Sequence, residues 1–436
     1  MLRWRIACLI SAAIAISYLD RQALPLAIKA VQADFPISNQ VKAFLDTAFL
    51  VSYGLMYLGG GRLLDLLGTR LGYALVMVFW SLACASQGLA VGVGMLAVSR
   101  LMLGLGEGGG FPAATKAVTE WFPVTERATA MGIINGGTAV GGVVAGPLIT
   151  LIVLPHIHWF GVTPWRWAFF LAGGLGLAWS VWWIHEYYPP ERHPRLGREE
   201  AIVVMARRRL QDEPSIASEQ KPITLIDLLR FRETRGVILA KFLTDAAWYF
   251  YLFWLPKYLY DARGFDYKAT GSVVWIPPAA SGVGALAGGA FSSWLLSRGQ
   301  SVDHSRKIAL GISAALMPFV MLVPFVSVPW TIAIFSLAFF GQQSWSTLIM
   351  ILPTDLFPKR VVGTVAGLVG LGGAMGGVVL GQVAGYLLDH GFSYRPVLAI
   401  AGSLHVVAFG VILVWVRVIH PLYEEVQPRP LAVALH

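Results

Sequence analysis

The sequence predicts an all-α membrane protein with twelve transmembrane helices arranged as two six-helix halves. Of its 436 residues, 56% are hydrophobic and only 13% are charged. A soluble domain carries about twice that charged fraction. Apolar runs of about twenty residues recur along the whole chain, and each is long enough to cross a hydrocarbon core of about 30 Å. A repeat between the two halves is the third observation behind this fold class.

The apolar runs define the predicted spans, and the 47 glycines fit close helix packing because small residues let backbones approach. We predict spans at 5–28, 43–66, 72–91, 94–117, 128–154, 166–185, 236–260, 270–297, 307–326, 330–354, 361–388 and 395–419. The corresponding domains are a first bundle at 1–185, a linker at 186–235, a second bundle at 236–420 and a tail at 421–436.

Within the linker, residues 197–213 have the basic amphipathic pattern of a helix lying on the inner membrane surface. A plain solvated linker helix is the alternative interpretation of the same residues.

An internal repeat relates the two bundles. Offset by 235 residues, 119–146 aligns without a gap over 354–381, and about twelve of the twenty-eight positions are identical. A repeat of six spans in the same direction implies two halves related by an axis along the membrane normal, with a substrate site at the midplane between them. In this register Glu107 corresponds to Gln342 and Arg100 to Phe335, so the acid and the arginine are specific to the first half.

The net charge of +9 is spread over helix ends and the central loop, which argues against a nucleic-acid-binding patch. Loops rich in Arg and Lys alternate with poorer ones, and the positive-inside rule then places both termini in the cytoplasm. The first apolar run shows no small-residue cleavage site, so we expect an uncleaved first helix. These features predict a multi-pass protein of the plasma (inner) membrane.

The sequence lacks the motifs of several other protein classes. There is no GxxxxGK[ST] phosphate loop, so ATP-driven transport is not expected, and there is no HExxH or CxxC pattern. Cys8 and Cys84 lie inside apolar runs, which predicts neither a disulfide nor a metal site. We therefore expect no enzyme activity, no cofactor and no metal, and we expect the chain to be monomeric in the lipid bilayer.

Charged residues inside the apolar runs are the candidate functional residues. A charge at the bilayer centre costs about 2.5–3.5 kcal/mol on insertion scales, so such residues face a partner or a wet cavity. Arg100 and Glu107 lie on one face of the fourth span, about 10 Å apart along its axis, too far to pair tightly with each other. Asp20 and Arg21 on the first span are the natural partners.

These residues suggest a division of roles. We expect Arg21 to bind a substrate carboxylate through its rigid fork of donors, with hydroxyls from Tyr18 and Tyr53 nearby. Glu107 and Asp20 are expected to exchange a proton, and Arg100 to switch Glu107 between its charged and neutral forms according to whether the two pair. The alternative is a static ion-pair cluster that locks the first and fourth helices together.

The second half supplies further polar residues in its seventh and tenth spans. Lys241, Asp245 and Trp248 fall along one stripe of the seventh span, where a Lys–Asp pair is more often structural. Trp248 is predicted either to stack on a sugar ring or to pack. Gln342 lies in a "GQQSW" segment, and a buried amide needs a partner, which is either a polyhydroxylated ligand or another helix.

The hairpin at 59–70 joins the second and third spans. Asp65 and Arg70 are expected to close a charge network on the cytoplasmic side between the second and eleventh helices. The predicted role of this network is gating rather than contact with substrate.

Several of these motifs resemble known family signatures. The pattern Gly61-x-x-x-Asp65-x-x-Gly68-x-Arg70 is similar to the helix 2–3 signature of the major facilitator superfamily. "YLDRQ" (18–22), Arg100 with "GEGGGFPA" (106–113) and "EWFP…ER" (120–127) resemble its anion:cation symporter family, and 241–259 resembles the hexuronate branch, close to the galactonate transporters.

The resemblance implies a role for each matching residue. Arg21 would contact the anionic substrate, Asp20 and Glu107 would form the protonatable pair with Arg100 as partner, and Tyr18 and Tyr53 would line the site. The second half departs from the hexuronate pattern at Trp345 and in the glycines of 367–377, where relatives often place an asparagine.

The predicted function is therefore a proton-coupled symporter that imports an organic anion, with a sugar acid such as a hexuronate or aldonate as cargo. Three alternatives stay open on the sequence: transport of another monocarboxylate or an aromatic acid, a drug:proton efflux antiporter, and a membrane sensor that signals through the central segment.

Overall fold

Helices occupy all twelve predicted positions in the computed structural model, which describes residues 1–197, 200–201, 204, 224–420 and 422. The all-α fold class is confirmed. The spans, numbered in chain order, are Leu2–Asp34, Asn39–Leu67, Thr69–Gly88, Val93–Glu107 with Gly110–Trp121, Val124–Pro147 continuing to His156, Pro164–Glu186, Arg232–Arg263, Tyr267–Val273 with Ile276–Ser297, Val302–Ala315 with Met317–Phe325, Val328–Leu356, Lys359–Asp389 and Arg395–Trp415.

Ten segments of the described chain are long and apolar enough to cross a membrane. The second and fourth spans bring the number of predicted spans to twelve. The second is a continuous helix of 29 residues, and the fourth is divided into helices of 15 and 12 residues. The amphipathic segment predicted at 197–213 lies largely outside the described residues, and so does the tail predicted at 421–436.

Glycines bring the fourth span against the second. A Cβ atom at Gly104 would overlap the carbonyl oxygen of Phe49, and one at Gly108 would lie 2.7 Å from the carbonyl oxygen of Tyr53. Only a residue without a side chain allows backbones to approach this closely. The fourth span therefore presents Arg100 and Glu107 to the residues of the second span at the centre of the first half.

The two halves repeat the same glycine contact. Gly141 of the fifth span packs on the carbonyl oxygen of Ala15 in the first, and Gly376 of the eleventh packs on that of Phe242 in the seventh. The two glycines are 235 residues apart, the offset of the sequence repeat. The repeat therefore records the packing of the fifth span on the first and of the eleventh on the seventh.

The halves meet at one end of the bundle. We call the end that carries Met1, the Gly68 turn and Pro358 the terminal face, and the opposite end the far face. At the far face the Asp389 carboxylate accepts hydrogen bonds from the backbone N–H groups of Asn39 and Gln40, at 2.9 and 2.8 Å. These bonds tie the eleventh span to the start of the second.

Towards the terminal face the halves separate. The second and eleventh spans contact each other as far as Gly54 and Gly370, which pack on side chains of the opposite helix. Two to three turns further along the same faces, Gly363 and Asp65 are exposed. The space between the halves is therefore closed at the far face and open at the terminal face.

Candidate functional site

An ion pair between the first and fourth spans lies at the centre of the first half. The Nε atom of Arg21 donates to Oε2 of Glu107 at 2.5 Å, and both side chains are buried. The Ser17 hydroxyl, one turn before Arg21, donates to the same oxygen at 2.8 Å. The other oxygen of Glu107, Oε1, is buried without a hydrogen-bond partner among the described residues.

Aromatic rings surround the guanidinium of Arg21. Its central carbon lies 4.8 Å from the ring centre of Tyr18, 4.5 Å from that of Tyr53 and 5.5 Å from that of Phe49. Such rings attract a cation electrostatically without using its hydrogen-bond donors. Within the described part of the chain, Nε is the only atom of Arg21 that donates a hydrogen bond. The two terminal nitrogens remain free to bind an anion.

Four tyrosine hydroxyls converge on the same region. Tyr18 and Tyr53 were predicted from the sequence, and the structure adds Tyr57 and Tyr249. Among the described residues, none of the four hydroxyls has a hydrogen-bond partner, and none is among the fully enclosed polar atoms. The rings of Tyr53 and Tyr57 are 5.7 Å apart. Arg21 and these tyrosines together form a polar surface that can bind a hydroxylated anion.

Asp20 forms no ion pair with a cation of the described residues. Its side chain is fully buried, and neither carboxylate oxygen receives a hydrogen bond that meets normal geometry from the described residues. The Cys84 thiol is a polar neighbour. An isolated ionised carboxylate in an apolar interior is far costlier than the neutral acid. The surroundings of Asp20 therefore favour its protonated form.

Arg100 has a partner that sequence reasoning missed. It donates to Oδ1 of Asp46 at 3.2 Å, while Lys42 donates to Oδ2 of the same acid at 2.7 Å. All three side chains are buried, so two cations share one carboxylate. In this conformation Arg100 pairs with Asp46 and not with Asp20, the acid of the first span, while Arg21 of the first span pairs with Glu107. The i,i+4 spacing of Lys42 and Asp46 was the available signal, but the predicted span began at residue 43.

The cluster of Lys42, Asp46 and Arg100 also contacts the second half. The Lys42 ammonium lies 4.1 Å from the ring centre of Trp254, and the Arg100 guanidinium lies 5.7 Å from that of Phe253. Both aromatic residues belong to the seventh span. These contacts join the halves on the far-face side of Arg21.

A second polar network crosses the seventh, tenth and twelfth spans. Lys241 donates to Oδ1 of Asp245 at 2.9 Å, and the Gln342 amide donates to the same oxygen at 3.2 Å. The Gln342 carbonyl in turn bonds Nε2 of His405. Gln342 is only 1% exposed, so the structure places it behind Asp245 and not at an open surface. Trp248 packs edge-on against Phe339, with ring centres 5.1 Å apart.

Among the described residues, the predicted gating residues contact only the first half. Asp65 pairs with Lys116 at 2.7 Å, and Arg70 donates to the carbonyl oxygen of Ile184 at 2.6 Å. The Arg70 guanidinium also lies 3.7 Å from the ring centre of Tyr188. The expected bridge between the second and eleventh helices is therefore absent from the described contacts, because the halves are separated at this face.

Comparison with known proteins decides the family. The sequence model described as "Major Facilitator Superfamily" matches residues 10–381, which is most of the chain. The chain belongs to this superfamily. It is thus a multi-pass membrane transporter and not an enzyme, and its curated relatives match the hexuronate and galactonate branch that its motifs resemble.

The relatives and a solved structure agree with this placement. A hexuronate transporter of Escherichia coli (strain K12) is 29% identical over 419 residues, covering 95% of this chain and 93% of that protein. A galacturonate transporter of Dickeya chrysanthemi is 32% identical over 318 residues, covering 72% and 89%. The xylose transporter XylE from E. coli, in an inward open conformation, has a TM-score of 0.72 at 13% identity, covering 95% and 96%.

Proposed function

We propose that this superfamily member imports an organic anion of the sugar-acid type together with a proton, across the inner membrane, by alternating access. The observation that carries the proposal is Arg21. It is a buried cation between the halves, and in the part of the chain that the structure describes its two terminal nitrogens and the surrounding tyrosine hydroxyls have no hydrogen-bond partner.

The carboxylate of the cargo binds Arg21 in this proposal. A guanidinium presents two parallel N–H donors that match the two oxygens of a carboxylate. Because Glu107 uses only Nε, the terminal fork is available for that contact. The tyrosine hydroxyls then bind hydroxyl groups of the cargo, which fits the sugar acids in the names of the hexuronate and galacturonate relatives.

Glu107 links the proton to the anion. Ionised Glu107 competes with the cargo for the positive charge of Arg21, whereas a protonated Glu107 leaves that charge to the cargo. Proton and anion therefore favour each other's binding, which is the differential stabilisation that coupling requires. Asp20 serves as the second protonatable group, because its surroundings favour the neutral acid.

The terminal face is the cytoplasmic side in this proposal, as the positive-inside rule indicates. The described conformation then releases cargo and proton into the cytoplasm, and both termini lie there. Entry from outside requires the halves to separate at the far face, breaking the bonds between Asp389 and the start of the second span.

The test is uptake in cells held in lightly buffered medium. We expect glucuronate, galacturonate or galactonate to make the external medium alkaline, because a proton enters with each anion. Glu107→Gln is expected to abolish that signal. Failure of all three acids to change the pH or enter the cells would contradict the proposal.

Competition experiments distinguish a sugar acid from the alternative cargoes. Inhibition by benzoate-like acids without inhibition by glucuronate would indicate an aromatic monocarboxylate, which the tryptophans of the seventh and tenth spans would suit. Extrusion of a preloaded compound on acidification outside would indicate an efflux antiporter.

A further inference from the structure

Asp245 lies on the seventh span, one helical turn before Tyr249 of the tyrosine cluster near Arg21. The hydroxyls of Tyr18, Tyr57 and Tyr249 each lie within electrostatic range of both Arg21 and Asp245. The tyrosine cluster is therefore close to both a cation of the first span and an acid of the seventh span. A ligand that spans this cluster contacts both charges.

One oxygen of Asp245 is held and the other is free. Oδ1 accepts from the Lys241 ammonium and from the Gln342 amide, which fixes the orientation of the carboxylate. Oδ2 receives no hydrogen bond from any described residue, although the side chain is only 6% exposed. It lies against the backbone of Gly373, where a Cβ atom would overlap it. The glycine thus leaves Oδ2 uncovered by any side chain at that position.

Lys241 directs its charge away from the tyrosines. Its ammonium donates to the Ser346 hydroxyl of the tenth span at 2.9 Å, in addition to Asp245. His405 of the twelfth span is also within electrostatic range of this ammonium. Lys241 lies one helical turn nearer the terminal face, and Oδ2 of Asp245 is not among the fully enclosed polar atoms of the described residues, so this oxygen is open to a ligand.

We propose that Asp245 is the specificity-determining residue of this transporter: its free oxygen accepts hydroxyl groups at the end of the cargo remote from Arg21 and excludes a second carboxylate there. Hydroxyl donors bind a carboxylate through strong, charge-assisted hydrogen bonds. A dicarboxylic sugar acid would instead place its second carboxylate beside Oδ2. The repulsion between these two negative charges would disfavour the dianion and so give specificity. The protein therefore selects monoanionic sugar acids over the corresponding dianions.

This inference rests on the proposed function, and competition in proteoliposomes tests it separately. Labelled galacturonate is the cargo, and unlabelled galacturonate and galactarate are the competitors, because they share a six-carbon skeleton and galactarate carries a second carboxylate; unlabelled galactonate, an open-chain monocarboxylate, controls for the ring form of galacturonate. We expect galactarate to compete at least about 100-fold more weakly in the wild type, as for a site built around hydroxyl donors.

Asp245→Asn removes the charge while keeping the shape. We expect this variant to bind galacturonate about 10- to 100-fold more weakly. Its preference for galacturonate over galactarate should fall by at least about 10-fold. Asp245→Glu keeps the charge and is expected to retain the preference even if uptake falls. The ratio between competitors does not depend on how much protein folds, so a purely structural role would leave it unchanged in both variants.

Asp266→Asn is the matched control. This exposed acid caps the helix that begins at Tyr267, and asparagine caps a helix equally well. We expect its competitor ratio to equal that of the wild type. A wild type that transports galacturonate but accepts galactarate equally, or an unchanged ratio in Asp245→Asn, overturns the inference and leaves the proposed function standing. A wild type that transports no sugar acid overturns the proposed function instead.

Discussion

Arg21 and Glu107 are joined by a single hydrogen bond from Nε to Oε2 at 2.5 Å, and no described residue accepts a hydrogen bond from the terminal fork of the arginine. The acid thus holds the cation in place and competes for its charge at the same time. The protonation state of Glu107 on the fourth span therefore affects how strongly Arg21 on the first span binds an anion.

Replacing Glu107 by glutamine should separate exchange from accumulation. The amide keeps the size of the side chain but cannot exchange a proton, so we expect counterflow of sugar acid to continue while the accumulation ratio falls to about 1. In the same proteoliposomes, counterflow measures exchange and uphill uptake measures accumulation. Normal accumulation by the variant would show that Glu107 does not carry the proton.

Replacing Arg21 should abolish anion binding. Loss of a buried charged donor leaves the cargo carboxylate without a partner, so Arg21→Ala should weaken substrate affinity by at least about 100-fold. Arg21→Lys keeps the positive charge but lacks the fork of donors, so its substrate affinity should lie between those of the wild type and Arg21→Ala. Binding calorimetry on detergent-purified protein checks this, with the exposed Arg298→Ala as control. Unchanged affinity in Arg21→Ala would exclude this role.

The cluster of Lys42, Asp46 and Arg100 predicts unequal effects of its acid and its lysine. Asp46→Asn leaves two buried cations without a counter-charge and should destabilise the fold by about 3–5 kcal/mol. Lys42→Met leaves one cation with one acid, so we expect a cost of only about 1 kcal/mol. Thermal unfolding in detergent compares them. Equal melting temperatures would mean that the shared carboxylate is not what holds this cluster.

The repeated glycine contacts predict a matched pair of packing variants. Gly141→Ala and Gly376→Ala each place a Cβ atom against a carbonyl oxygen, so each should destabilise the fold by about 1–3 kcal/mol. Gly132→Ala has open space around it and should be neutral or slightly stabilising, because alanine is the better helix former. Melting temperatures of the three variants test this. Tolerance of alanine at both contact sites would contradict the described packing.

Cysteine labelling tests the orientation of the terminal face. In a chain whose exposed Cys8 is replaced by serine, Gln300→Cys lies in a loop of the terminal face and Ser393→Cys in a loop of the far face. We expect a membrane-impermeant maleimide to label residue 393 in intact cells and residue 300 only in inside-out vesicles. The reverse pattern would place the termini outside.

Much of this protein could be predicted from the order of its residues. The spans follow from apolar runs because a hydrocarbon core accepts only satisfied helices of a minimum length. Glu107 and Arg21 could be singled out because a charge in such a run is costly and needs a partner. The repeat predicted the two halves, and the structure shows equivalent glycine contacts on the first and seventh spans at that offset.

The partners of each charge were decided only by the tertiary structure. A helical period shows which face a residue occupies, but the residue opposite depends on the depth and angle at which two helices cross. For this reason Arg100 pairs with Asp46, Gln342 supports Asp245, and Arg70 bonds the sixth span instead of the eleventh. The sequence by itself determined the spans, the two halves and the costly charges within them. Packing decided which charges neutralise one another and which atoms of Arg21 and Asp245 remain free, since that depends on distances between helices that no one-dimensional pattern contains.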